Sequence, residues 1–175
     1  MAASERDLLI LLDEIGVAYA RHAHAPVFTV AAARALRGAL PGAHTKNLFL
    51  KAKDGALLLA VCLEDRRIRI RDLERAAGLK KASFGSPDLL RATLGVEPGS
   101  VTPFALINDR AGLVRVALDA QMMRADVLNF HPLRNDATLA VSSDGLRRFL
   151  AETGHAAREI DFDALEEMAA AAAEN

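Results

Sequence analysis

Tryptophan is absent from this chain, cysteine occurs once, and aromatic residues amount to only 5%. Each scarcity excludes something. A lone Cys62 has no partner for an internal disulfide, and its place in Leu57-Leu58-Leu59-Ala60-Val61-Cys62-Leu63 makes it a small hydrophobe suited to a reducing compartment. With so few rings, alanine and leucine must carry the core, and 51% hydrophobic residues over 175 positions suffice for one domain. No apolar run is long enough to span a membrane, and the opening Met1 to Asp7 lacks the pattern of a signal peptide, so a cytoplasmic protein with no membrane partner is expected. There is no Gly-rich phosphate loop, no Gly-x-Ser-x-Gly elbow and no internal repeat, which argues against a Rossmann domain and against serine-type covalent catalysis. His22 and His24 stand two apart without a cysteine or carboxylate at ligand spacing, so neither a metal nor another cofactor is expected.

What is present is a balanced surface with local bias. A net charge of -1 is wrong for a protein that coats nucleic acid indiscriminately. Between Arg66 and Lys81, however, Arg66, Arg67, Arg69, Arg71, Arg75, Lys80 and Lys81 face only Asp72 and Glu74, and the tail after Arg158 is acidic.

The apolar periodicity sets out the elements. Ser4 caps a helix to about Glu14, with Leu8, Leu11, Leu12 and Ile15 at helical spacing and Gly16 as its stop. Val17 to Ala20 reads as a short strand, and Thr29 caps a second helix over Val30 to Leu36. Lys46 to Lys51 and Ala56 to Leu63 flank Lys53-Asp54-Gly55, a hairpin signal. Helices follow at Asp72 to Ala77 and from Ser86-Pro87-Asp88 to Gly95. Strands are expected at Val101 to Asn108, Leu113 to Leu118, Val127 to Phe130 and Ala137 to Val141, then a helix capped by Ser142 or Ser143 and an acidic, alanine-rich helix over about 163–173. This irregular alternation predicts one α/β (α+β) domain with its core in about 4–154. Its sheet is mixed and curled, barrel-like, with helices outside.

Three polar groupings interrupt the apolar pattern. In His44-Thr45-Lys46-Asn47-Leu48-Phe49-Leu50-Lys51, an ammonium and a carboxamide stand at the mouth of an apolar strand. Gly99-Ser100-Val101-Thr102-Pro103 brackets a hydroxyl and backbone amides between residues of permissive and fixed geometry, a loop able to offer N–H donors to a ligand oxygen. Phe130-His131-Pro132 holds an imidazole at a strand end. His155, after Gly154, can satisfy helix-terminal carbonyls and needs no other role.

In this order, the Lys-Asn pair, the Gly-x-x-x-Pro loop and the Phe-His-Pro strand end resemble the YbaK-type editing domains associated with prolyl-tRNA synthetase. The resemblance runs from about Val27-Phe28-Thr29-Val30 to Phe149, with Gly78-Leu79 and Leu94-Gly95-Val96 where that family has turns, and it is strongest to freestanding deacylases that clear alanine from proline tRNA. It implies a hydrolase with water as nucleophile and no cofactor. Lys46 would anchor a phosphate or ester oxygen and Asn47 would orient the substrate. Gly99, Ser100, Val101 and Pro103 would line the opposite wall, and His131 would limit the pocket so that alanine enters and proline does not. The partner implied is the acceptor end of a mischarged proline tRNA, with prolyl-tRNA synthetase or an elongation factor as delivery partners. Arg66, Arg69, Lys80 and Lys81 are the candidate phosphate contacts. A deacylase for cysteine or serine, or a non-catalytic tRNA- or synthetase-binding relative, are the alternatives. Strand geometry adds a condition: Lys46 and Asn47 serve one pocket only if the strand bulges beside them.

Overall fold

The computed structural model describes residues 2–26, 40–165 and 167; the helix expected over Val30 to Leu36, and most of the acidic terminal helix, lie outside them. Ser4 starts α1 (Glu5–Glu14) with a capping box, its side chain accepting from the Asp7 amide while the Asp7 carboxylate accepts from the Ser4 amide. Leu8 and Leu12 are the buried stripe of that helix. The other helices are α2 (Ile70–Ala77), α3 (Pro87–Leu94) and α4 (Ser143–Glu152). Ser86 caps α3 ahead of Pro87, and Ser142 caps α4 by accepting from the Gly145 amide. The start of α2 is displaced from expectation: Arg69, not Asp72, holds the cap position.

The strands are β1 (Tyr19–Ala23), β2 (Ala43–Ala52), β3 (Leu57–Leu63), β4 (Ala82–Phe84), β5 (Val114–Asp119), β6 (Leu128–Phe130), β7 (Ala137–Val141) and β8 (Ala157–Ile160). They form a mixed sheet in the order β1-β7-β6-β2-β3-β5-β8, with β4 also paired to β2. Among the described residues the sheet does not close, and β1 and β8 are its ends. Each face packs its own core. Phe49, Leu59, Val61, Phe104, Phe130 and Phe149 belong to one, and Leu50, Leu58, Cys62, Leu73 and Ile160 to the other. Phe104 stands edge-on to both Phe130 and Phe149, at 5.7 and 5.1 Å between centroids.

One expectation fails and one strand goes unpredicted, each for a physical reason. Val101 to Asn108 is not a strand: Pro103–Asn108 form a 3₁₀ helix, capped by the Thr102 hydroxyl accepting from the Phe104 amide. Its Pro103, Phe104, Ala105 and Leu106 are all buried, and a continuous apolar run carries no period that separates strand from helix. Nothing in the sequence predicts β8, because Ala-Arg-Glu-Ile shows no apolar alternation; its parallel pairing with β5 makes it a strand.

β2 is the strand that matters for function. On one side it pairs with β3 without interruption from Thr45↔Leu63 to Lys51↔Leu57. On its other side β6 pairs only with Ala43 and His44, and β4 only with Leu50 to Ala52. Among the described residues, no strand covers that edge between Thr45 and Phe49.

Candidate active site

The continuous β2–β3 register removes the bulge that would have turned Lys46 and Asn47 the same way. The two side chains therefore lie on opposite faces. On the face of Phe49, the Asn47 Nδ2 donates to the Val101 carbonyl at 2.9 Å, which ties β2 to the Gly99–Pro103 loop. That bond also fixes the amide's orientation, since a flip would set oxygen against oxygen. The Asn47 Oδ1 is buried and has no hydrogen-bond partner among the described residues. A buried acceptor left open costs about 1 to 3 kcal/mol unless water or a ligand donates to it.

The cleft beside it holds about 210 Å³ and is lined by Asn47, Phe49, Phe84, Gly85, Gly99 and Val101, among others. Two glycines make room. At Gly85 an added Cβ would lie 2.6 Å from the Phe49 ring, and the Gly85 amide donates to the Phe49 carbonyl at 2.9 Å, so the chain crosses the ring closely. Gly99 has φ +89°, a conformation that side chains rarely adopt. Larger hollows of about 410 and 480 Å³ lie elsewhere, and neither is lined by Asn47.

The structure unites Asn47, Gly99 and Val101 in this cleft and sets the other expected residues apart from it. Ser100 is buried, its amide donating to the Glu97 carbonyl at 2.9 Å. Pro103 is buried at the start of the 3₁₀ helix. Lys46, on the Cys62 face, donates to the backbone carbonyls of Glu64, at 3.0 Å, and of Arg66. His131 sits just past β6, whose pairing with β2 ends at His44↔Asn129. Its Nδ1 donates to the Ala137 carbonyl at 3.1 Å, which leaves Nε2 as the acceptor. Burial, reinforced by the nearby His24, pushes the His131 pKa below its ordinary value and keeps the ring neutral, although the Ala137 bond works the other way. Cys62 is fully buried, and burial drives its thiol pKa up to about 12, so it cannot supply a thiolate. Among the described residues there is no cluster of three or more His, Cys, Asp or Glu side chains able to hold a metal.

The basic run divides. Arg66 turns inward: its side chain is 6% exposed, paired with Asp119 at 2.7 Å and Asp163 at 2.7 Å, bonded to Gln121 and placed over the Phe162 ring. It is thus unable to serve as the phosphate contact expected of it. Arg69 is exposed but paired with Asp72 at 3.0 Å. Lys80 and Lys81 are exposed with no ion pair to a described residue. Sequence reasoning also missed Asn129, whose Nδ2 donates to the Pro41 and Ala43 carbonyls and whose Oδ1 is the second unpartnered buried acceptor. A polar residue inside the apolar strand Leu128-Asn129-Phe130 was its visible signal.

The comparisons bear on this arrangement. The family profile described as "Aminoacyl-tRNA editing domain" matches residues 24–149. The chain belongs to the aminoacyl-tRNA editing domain family. It is 36% identical over 163 residues to a Xenopus laevis protein named prolyl-tRNA synthetase associated domain-containing protein 1, covering 90% of this chain and 96% of that one. It is 29% identical to the prolyl-tRNA editing protein ProX of Acetoanaerobium sticklandii, over 90% and 97% of the two chains. A crystal structure of a candidate trans-editing enzyme for prolyl tRNA synthetase superposes with TM-score 0.68 at 19% identity, covering 92% and 98%, which establishes the editing-domain fold. No helix among the described residues is long and apolar enough to cross a membrane.

Proposed function

We propose that this editing domain is a trans-acting deacylase that hydrolyses the ester of alanine mischarged onto proline tRNA. The observation that carries the reading is the Asn47 amide, pinned by one end to Val101 and open at the other, beside a strand edge with no partner among the described residues. The open Oδ1 takes a donor of the substrate, such as the alanine ammonium. Water adds to the ester carbonyl, the bond from the carbonyl carbon to the ribose oxygen breaks, and the proton passes to that oxygen, releasing alanine and the tRNA hydroxyl. An aminoacyl ester is already activated, so holding it against water supplies much of the rate without a protein nucleophile. The inert Cys62 thiol is consistent with that chemistry.

Lys46 is held by two backbone carbonyls on the face of β2 opposite Asn47, so its remaining proton is assigned to a phosphate of the tRNA end rather than to the ester held at Asn47. Neutral His131, which does not line the Asn47 cleft, is assigned to bound the space for the amino acid side chain from beyond it. Selectivity follows from volume: a synthetase site shaped for proline gains only about 1 to 3 kcal/mol per methylene against alanine, and a smaller second site reverses the preference by clash. Because tRNA charging and decoding share a compartment, the reading places the protein in the cytoplasm, with the synthetase or an elongation factor as the source of tRNA.

The second reading is a binding module without catalysis, favoured by the Xenopus relative's name, which states association only. Incubating the protein with proline tRNA charged in turn with alanine, serine, cysteine or proline separates the readings. Fastest ester loss from alanine is expected; preference for cysteine or serine overturns the alanine assignment, and no hydrolysis of any ester favours the binding module.

A further inference from the structure

Ile10, Phe84 and Leu113 are the large hydrophobic side chains exposed among the described residues, and of these Phe84 alone borders the cleft. Its ring is 62% exposed at the end of β4, where the register sets it opposite buried Leu50. Single exposed hydrophobics are ordinary on a protein surface, so exposure by itself assigns nothing. The surroundings supply the second observation. Lys51 lies opposite Ser83 on the neighbouring strand, and the Lys53 amide donates to the Lys80 carbonyl at 3.1 Å, which gathers Lys51, Lys53, Lys80 and Lys81 at the start of β4. All four are exposed, and none forms an ion pair with a described residue. The nearby carboxylates are engaged locally: Asp54 accepts from the Ala56 amide and Glu74 from the Ala82 amide.

An exposed aromatic ring at the mouth of a cleft, at the end of a three-residue strand whose start carries exposed cations, is an arrangement that suits single-stranded nucleic acid. Bases stack on an aromatic face while ammonium groups take the phosphates. We infer that Phe84 is the stacking platform for the adenine of the esterified terminal nucleoside, with the lysine cluster holding the phosphates behind it. This rests on the function proposed above and adds a residue for positioning the RNA. A protein partner fits less well, because the exposed apolar surface at this site is one ring amid four cations.

The test uses the full chain and an uncharged proline-tRNA acceptor-stem hairpin with 2-aminopurine in place of its terminal adenine. The unsubstituted protein and Phe84→Tyr should quench the fluorophore. Phe84→Leu should lose the quenching and bind on the order of tenfold more weakly, the effect of one stacked base. The double substitution Lys51→Gln, Lys53→Gln should keep the quenching while lowering the salt dependence of binding by about 0.7 in logarithmic slope for each phosphate no longer neutralised. Quenching by Phe84→Leu equal to that of the unsubstituted protein, or no binding of the hairpin at all, overturns the inference. Because the readout needs no ester, the two proposals fail separately. Normal hydrolysis with Phe84-independent quenching removes only the stacking role, and Phe84-dependent quenching without hydrolysis removes only the deacylase reading.

Discussion

Two polar sites beneath the surface of this protein are completed differently. At the junction of α4 and β5, the Asp109 carboxylate accepts from the amides of Leu113 at 3.1 Å and Val114 at 2.7 Å and from His155 Nε2 at 3.1 Å. The His155 Nδ1 in turn meets the Thr153 hydroxyl at 3.0 Å, so each polar side-chain group there has a partner. At the edge of β2, which no described strand covers between Thr45 and Phe49, Asn47 has one amide end bonded and the other without a partner among the described residues. A satisfied network returns its desolvation cost within the fold, whereas a half-satisfied one returns it when a ligand arrives. The first cluster therefore braces the molecule, and the second is the one proposed above to recognise substrate.

The largest effect that can break this contrast lies at the brace. Asp109→Ala strands the His155 ring and two amides, and should cost about 3 to 5 kcal/mol in urea unfolding while leaving hydrolysis per folded molecule unchanged. A loss of activity without loss of stability would move Asp109 into the functional site. The same cluster has a pH signature. Burial resists ionisation of Asp109, but the Val114 and Leu113 amides and His155 outweigh it and hold the carboxyl below its usual 3.8. A carboxyl lowered in the folded state contributes stability in full above the unfolded value, and that stability fades as pH falls through the folded value. Unfolding midpoints should thus drop below about pH 4 in the unsubstituted protein and respond less in Asp109→Asn.

Next in size is the sieve. His131→Ala should narrow the preference for alanyl over prolyl ester by about tenfold, measured as the ratio of kcat/KM for the two charged tRNAs. An unchanged ratio takes His131 out of the pocket wall. The smallest effect concerns Lys46. Lys46→Met should lower the logarithmic salt slope of tRNA binding by about 0.7 to 0.9, the share of one neutralised phosphate, beyond any loss of stability from the two carbonyls it leaves. If the slope holds and only the unfolding midpoint falls, Lys46 is a brace like Asp109.

Much of this fold is legible in the sequence. Ser4, Ser86 with Pro87, and Ser142 mark helix starts because a side-chain acceptor there meets otherwise unsatisfied amides. The Lys53-Asp54-Gly55 turn marks the β2–β3 hairpin, and strand period alone warns that Lys46 and Asn47 diverge. What stays hidden depends on distant partners. The inward turn of Arg66 is dictated by Asp119 and Asp163, far along the chain, and nothing local distinguishes it from an exposed arginine such as Arg69. The cleft itself arises because β6 and β4 each cover only part of one edge of β2, which is a property of the sheet and of no single segment.

The account turns on Asn47, and one paired measurement tests it most directly: kcat/KM for alanyl-tRNA(Pro) hydrolysis and the urea midpoint, for the unsubstituted protein and Asn47→Ala. Removing an amide that already leaves one acceptor unsatisfied should cost no more than about 1 kcal/mol of stability. It should lower kcat/KM by about 100-fold, the scale for losing one oriented hydrogen bond at a reacting centre. Full hydrolysis by Asn47→Ala, or a fall in activity matched by global unfolding, would contradict the assignment of this edge of β2 as the place where the ester is held.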